Sequence, residues 1–355
     1  MKAVILAAGQ GTRLRPVTLT MPKPLVPVAN KPLIEYAIDV LKNAGLTDIG
    51  IVVNDLQSSI VQKLGSGDKL GVKLDYIVQA EQKGLAHAIG LCEPFAAGEP
   101  FCVYLGDNIF QDTMESVIRG FPASSSEALI ALTEVPDPTR FGIAEIQNGN
   151  IVRVVEKPKQ PPSNLAIAGV YLFRPSIFEA IGKVKPSWRN ELEITDAIQE
   201  LVNTGKKVEA YTIRGWWIDA GKPDSIMQAN QLVLGDLPYT AAPTNENIVN
   251  SDVSNRVLIG EGSQIIDSVV RGPVIIGSNT VIRGSYVGPY SAVGSNVTIE
   301  NSEIDASIVM NDCSISNIPG RIDSSLLADN SQVVSANRVP AAHRFVLAEN
   351  SYVQL

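Results

Sequence analysis

The sequence predicts an α/β chain: a mostly parallel sheet with helices on both faces, followed by a parallel β-helix of hexapeptide-type repeats. Three observations predict it. Over roughly the first 235 residues, short β-branched runs alternate with amphipathic helical stretches, as strands buried on both faces and joined by helical crossovers require. After about Pro243 aromatics thin out and aliphatic residues recur at a fixed period among Asn, Ser and Gly. At 355 residues the chain also exceeds one ordinary core, so two domains are expected, over 1–240 and 245–355.

The first strand is the apolar run 4–6, and two alanines and two glycines follow it. Gly9 and Gly11 allow backbone amides to turn toward an anion and approach it closely, because neither carries a Cβ. Arg13, Arg15 and Lys23 add three cations within reach. A strand, a glycine loop and clustered cations together make a phosphate cradle. Two familiar phosphate loops are excluded. The dinucleotide fingerprint needs a third glycine where Leu14 stands, and the Gly-Lys-Ser/Thr ending of a Walker loop is missing.

Next come a helix over 32–43, with Pro32 in its first turn and Gly45 as its stop, and a strand over 49–53. Strands are also predicted over 74–78 and 101–105, and helices over 57–64, 84–92 and 112–118. In open α/β sheets ligands bind where the chain leaves the carboxyl ends of strands. The glycine loop, Gln79 and Asp107 all follow predicted strands, so one crevice can collect them. A glutamine amide offers a donor and an acceptor, which suits the edge of a pyrimidine ring, though it also suits loop backbone groups. His87 falls on the following helix and reads as a packing residue. Asp107, beside Gly106 at a strand tip, is a hard oxygen ligand suited to nucleotide-bound magnesium, or a helix N-cap.

Strand-like runs at 142–146, 151–155 and 168–173, with a hairpin break at 148–150, carry a second group: Gly142, Glu156, Lys157 and Val170. Glu156 can accept from sugar hydroxyls and Lys157 can meet a phosphate as a point charge. Arg189 opens the stretch RNELEITD before a helical run to Asn203, and Asp219 lies in WWIDAG. In the C-terminal part, Ile259, Ile265, Val270, Ile276, Ile282, Val287, Val293, Ile299 and Ile304 follow steps of six, six and five. Each coil buries one aliphatic residue per face, and such coils are stable only when stacked.

Net charge is −8, which disfavours a nucleic-acid or anionic-membrane partner, since both are held mainly through excess Lys and Arg. Cys92, Cys102 and Cys313 are odd in number and unclustered, so neither a disulfide framework nor a zinc site is expected. With an N-terminal apolar run too short for a signal peptide, the expected location is the cytoplasm.

Taken together, G-x-G-T-R-L-x-P with the later Lys23-Pro24, Q-x-x-x-x-G-L-A from Gln79, Glu156-Lys157-Pro158, RNELEITD and WWIDAG resemble the sugar-1-phosphate nucleotidyltransferase family. The likeness covers essentially the whole chain and is closest to the long thymidylyltransferase form. It implies a Rossmann-like nucleotidyltransferase sheet, a left-handed β-helix and a homo-oligomer. The reaction implied is attack by glucose 1-phosphate on the α-phosphorus of dTTP, with UTP as the alternative donor and Mg²⁺ as cofactor. The nucleotide would lie on Leu6, Ala8, Gly9, Gly11, Thr12, Arg13 and Lys23, its base read by Gln79 and Gly84. The sugar phosphate would meet Gly142, Glu156, Lys157, Val170 and Arg189, with Asp107 and Asp219 as metal ligands.

The chain departs from the family pattern at Lys23-Pro24, where many thymidylyltransferases have Lys-Gln, at Asn190 for glycine and at Ala220 for threonine. Acyl transfer on the β-helix would need a histidine in the coils, and the nearest candidate, His343, lies close to the C-terminus. An inactive homologue would be expected to lack the charged site residues, all of which are present.

Overall fold

The computed structural model describes residues 1–55, 58–243, 246–335 and 351–353. It clusters into two compact units, one of residues 1–10, 22–25 and 33–219, the other of residues 11–21, 26–32 and 220–355.

The first unit is built on a 9-stranded sheet. Its strands are β1 (Lys2–Leu6), β2 (Asp48–Val53), β3 (Lys73–Val78), β4 (Phe101–Leu105), β6 (Ala128–Glu134), β7 (Gly142–Gln147), β8 (Asn150–Glu156), β9 (Leu165–Phe173) and β10 (Val208–Thr212). A separate antiparallel ribbon pairs β5 (Asn108–Phe110) with β11 (Trp217–Asp219). The strand order is β3-β2-β1-β4-β9-β6-β10-β8-β7. From β3 to β4 every pairing is parallel, as expected. Beyond β4 the sheet is mixed: β9 runs antiparallel to both its neighbours, and β7 and β8 form a hairpin. Asn148 and Gly149 turn that hairpin with φ of 52° and 76°, a conformation open to these two residue types at little cost.

Alternation along β1 shows how the sheet is covered. Ala3 and Ile5 enter a core with Ile34, Ile38 and Leu41 of helix α1 (Leu33–Asn43). Val4 enters the opposite core with Phe101, Val103, Ile177 and Ile198. Gly45, at φ +84°, ends the first helical segment as expected.

Two helices depart from the sequence expectation for local reasons. The stretch 84–92 becomes α3 (Leu85–Gly90), and Pro94 opens a new short helix, Glu93–Ala96. The helix expected from residue 112 starts at Glu115, because Asp112 is used elsewhere. Its carboxylate accepts from the Met114 and Arg214 backbone N–H groups at 3.0 and 2.9 Å and from the Tyr211 hydroxyl at 2.7 Å. The helix expected over 57–64 is α2 (Ser59–Leu64), and Gln57 lies outside the described residues. No helix among the described residues is long and apolar enough to cross a membrane.

The second unit contains the repeats as three parallel sheets of short strands, consistent with a β-helix. Ile265 pairs with Ile282 and Ile282 with Ile299, so the steps of six, six and five sum to one coil. All nine predicted aliphatic positions share one core. Corners sit in left-handed backbone, which explains the asparagines: Asn250, Asp267, Asn301 and Asn317 occupy one column, with Gly284 between. Side chains along such columns bond to each other, Asn301 Nδ2 donating to Asn317 Oδ1 at 3.0 Å and Asn250 Nδ2 to Asp267 Oδ1 at 2.6 Å. The hairpin formed by Pro27–Val28 and Lys31–Pro32 belongs to this unit too. There the Ala29 N–H donates to Asn230 Oδ1 (2.9 Å) and Asn30 Nδ2 to the Val293 carbonyl (2.6 Å).

Candidate active site

Because β3, β2, β1 and β4 are parallel, the segments leaving β1, β3 and β4 emerge along one edge. They interact there. Gln82 Nε2 donates to the Ala8 carbonyl at 3.2 Å, Gln10 Nε2 donates to Gln82 Oε1 at 3.0 Å, and the Gly106 N–H donates to the Leu6 carbonyl at 3.0 Å. Gly9 is exposed, and a Cβ built on it would meet nothing within 4 Å, so the loop leaves open space at this edge. Gly11, Thr12 and Arg13 fall in the second unit. Gly11 is left-handed at φ 62° and precedes the short helix Thr12–Leu14, on which Thr12 and Arg13 are exposed.

Lys23 is only 7% exposed. Its ammonium is paired with Asp107 Oδ2 and lies 3.6 Å from Asp219 Oδ1. The two aspartates meet because β5 and β11 pair antiparallel, setting Asp219 opposite Asn108. Asn108 completes the bracket: its Nδ2 donates to Asp107 Oδ1 at 2.7 Å, and its Oδ1 accepts from Trp217 Nε1 at 2.6 Å. Gly169, at φ +77°, lets β9 pass beside it, since a Cβ there would fall 2.8 Å from Asn108 Oδ1. Two carboxylates around one buried ammonium leave the centre with excess negative charge. Two hard oxygens match what nucleotide-bound magnesium takes from protein, its other ligands being phosphate oxygens and water. Among the described residues no group of three or more His, Cys, Asp or Glu could hold a metal.

The sugar-side residues form a second cluster. β8 pairs Glu156 opposite Gly142, and a Cβ at Gly142 would fall 2.6 Å from Thr195 Cγ2. Glu156 Oε2 accepts from Thr195 Oγ1 at 3.3 Å, and its Oε1 lies 3.4 Å from Arg189 Nη1 and 3.7 Å from Lys157 Nζ. Arg189 is also bound to Glu191 and lies 3.7 Å from Glu193, so three carboxylates share its guanidinium. A phosphate reaching Arg189 must compete with them for its five N–H donors. Lys157 holds a left-handed φ of 41° immediately before Pro158, unusual for a side-chain-bearing residue. Val170 is buried in the core, so only its backbone can face a ligand.

Burial, the neighbouring Glu193 charge second, raises the Glu156 carboxyl above its ordinary value of 4.5, against the opposing pull of Lys157 and Arg189. A carboxyl whose folded value is raised binds its proton more tightly when folded. Wild-type stability therefore carries a cost that grows as pH rises from about 4.5 through the raised value and is constant above it. Glu156→Gln is expected to gain on wild type in thermal melts at pH 7.5 relative to pH 4.5. An equal difference at both pH values would contradict this.

The two clusters are joined through backbone. The Ala86 N–H donates to the Leu192 carbonyl at 3.0 Å and the Leu192 N–H to the Lys83 carbonyl at 2.7 Å. Gly84, at φ +105°, fits because a Cβ would sit 2.5 Å from that same Leu192 oxygen. Sequence reasoning gave no role to Asn108, Thr195 or Trp217. The one available signal was Asn108, a polar residue heading the apolar pair Ile109-Phe110.

The chain matches the family model for nucleotidyl transferases over residues 2–235. It is 43% identical to a glucose-1-phosphate thymidylyltransferase of Streptomyces griseus, covering all of this chain and 99% of that one. It is 45% identical to the low-salt glycan biosynthesis nucleotidyltransferase Agl11 of Haloferax volcanii, covering both chains completely. A Bacillus anthracis structure assigned as a glucose-1-phosphate thymidylyltransferase, solved with a sucrose, superposes with a TM-score of 0.63 at 41% identity. That match covers 68% of this chain and 97% of the other. On the family match and on likeness that runs from end to end, the chain belongs to the nucleotidyl transferase family of enzymes.

Proposed function

We propose that this chain transfers a thymidylyl group from dTTP to α-D-glucose 1-phosphate, releasing pyrophosphate and leaving dTDP-glucose. The observation that carries the reading is the buried Lys23 ammonium between Asp107 and Asp219, two acids from distant segments. One oxygen of the sugar phosphate attacks the α-phosphorus, and the bond from that phosphorus to the bridging oxygen breaks, sending its electron pair to pyrophosphate. No general base is required, because a phosphate monoester with a second pKa of about 6 is largely ionised near neutrality. The barrier lies in bringing two polyanions together in line, so positioning and charge neutralisation carry most of the catalysis.

The residues divide that work. Lys23 and, by the resemblance of its motif, Arg13 would hold the triphosphate, and Lys157 and Arg189 the incoming phosphate. Glu156 accepts from sugar hydroxyls. Asp107 and Asp219 would hold Mg²⁺, which when bound supplies positive charge to the reacting phosphate and the leaving pyrophosphate.

UTP is the competing donor, because an amide oxygen that accepts from ring N3–H reads uracil and thymine alike, and Lys23-Pro24 departs from the common thymidylyltransferase dipeptide. Pyrophosphate release should be measured across dTTP, UTP, CTP, ATP and GTP with several sugar 1-phosphates. The expected result is highest kcat/KM with dTTP and glucose 1-phosphate. A clear preference for UTP would reassign the donor, and no release with any pair would overturn the reading.

A further inference from the structure

We propose that His87 is a positioning residue for nucleotide selection: it locks the Gln79 amide with its oxygen toward the nucleobase, so that a ring bearing N3–H is accepted and cytosine refused. The proposal rests on the nucleotidyl-transfer reading above and deepens it.

Gln79 directly follows β3, its N–H donating to the Val53 carbonyl at 2.7 Å, and the residue is only 4% exposed. Its side-chain amide has two possible orientations, and they recognise different rings. With Oε1 outward it accepts from the N3–H of thymine or uracil. With Nε2 outward it donates, which suits the bare N3 of cytosine. The surroundings select the first. Nε2 faces the Gly84 carbonyl at 3.3 Å and His87 Nδ1 at 3.1 Å. A carbonyl can only accept, so the amide atom facing it is nitrogen. The same nitrogen faces His87, whose Nδ1 must therefore accept, placing the neutral ring's proton on Nε2.

No described residue donates to Gln79 Oε1. The amide is held on its nitrogen side by two acceptors, and its oxygen is not among the sealed, partnerless polar atoms, so it stays open to water or to a ligand. A ligand N–H can take the place of that water. The Gly84 bond alone is long, and that carbonyl also accepts from the Ala88 N–H at 3.2 Å. His87 is thus the stronger restraint on the flip. It sits on α3, which begins directly after Gly84, so the element that supplies the carbonyl also presents the imidazole.

The full chain should be assayed with dTTP, UTP and CTP at saturating glucose 1-phosphate. His87→Leu keeps bulk and removes the acceptor. KM for dTTP and UTP should rise about fivefold to tenfold, the loss of one hydrogen bond, with kcat changed by less than about twofold. The preference over CTP should narrow by a similar factor. His87→Asn, whose Oδ1 can stand where Nδ1 stands, should restore most of both. His87→Ala gives the same reading should the leucine variant not fold. A packing role alone would lower melting temperature in these variants and leave the dTTP-to-CTP ratio unmoved, which would overturn the proposal. Absence of pyrophosphate release by wild type would instead overturn the transfer reading on which it rests.

Discussion

Asp107→Asn and Asp219→Asn are each expected to leave a folded chain whose pyrophosphate release falls by about a hundredfold to a thousandfold. Asparagine keeps the shape and one oxygen acceptor, so of the two donors that meet Asp107, Asn108 Nδ2 and Lys23 Nζ, one retains its acceptor and the other faces an amide nitrogen. What disappears is one of two negative charges facing the Lys23 ammonium. A divalent ion held by two carboxylates would lose half of its protein charge and bind more weakly. Either variant should therefore need more Mg²⁺ for half-maximal rate, while melting within a few degrees of wild type. Wild-type turnover in both variants would refute the metal assignment. Equal losses at all Mg²⁺ concentrations would point instead to a purely structural role for the pair.

Gly277→Val should cost the repeat unit about 3 kcal/mol or more, comparable to the larger single-site losses seen in packed cores. Gly260, Gly277 and Gly294 stack one coil above the next. A Cβ at Gly277 would fall 2.5 Å from the Gly294 carbonyl carbon and 2.5 Å from the Ser295 nitrogen. Both obstacles are backbone, so relief requires the coils to part. That would break the ladder bonds from the Gly260 N–H to Ile276 and from the Gly277 N–H to Val293, each 2.8 Å. In a stacked solenoid a damaged rung also removes the interface with its neighbours. A lowered first transition in calorimetry is the expected readout, and a melting profile superimposable on wild type would show that the coils tolerate the methyl groups.

The repeats were the most legible part of the chain. Their period is a local property: one coil returns every three steps, so the aliphatic row from Ile259 to Ile304 declares itself without any distant contact. The first parallel strands were also readable, since Val4 to Leu6 and Ile49 to Val53 carry the unbroken apolar runs that burial on two faces demands. The mixed half of the sheet was less so. Strands Ala128–Glu134 and Val208–Thr212 pair parallel to each other across much intervening chain, and nothing local in either marks its partner.

The site divides along the same line. The glycine loop and Asp107 could be listed from their own chemistry, whereas Gln79 and the Glu156-Lys157-Pro158 turn stood out only through the order of the whole motif set, which resembles the family. Their charge environment could not. That Arg189 is shared by Glu156, Glu191 and Glu193, that burial raises Glu156, and that Gln79 turns its nitrogen toward His87 follow from side-chain packing.

By itself the sequence determined the class of fold, the coil period and the kinds of groups available to meet phosphate, because those depend on neighbours a few residues apart. Only the tertiary structure brought Asp219 to Asp107 and set Lys23 between them. It did so through a three-residue ribbon whose bracing bond, Trp217 to Asn108, spans 109 positions. Closing so long a loop is a property of the whole folded sheet, and no short-range preference encodes it.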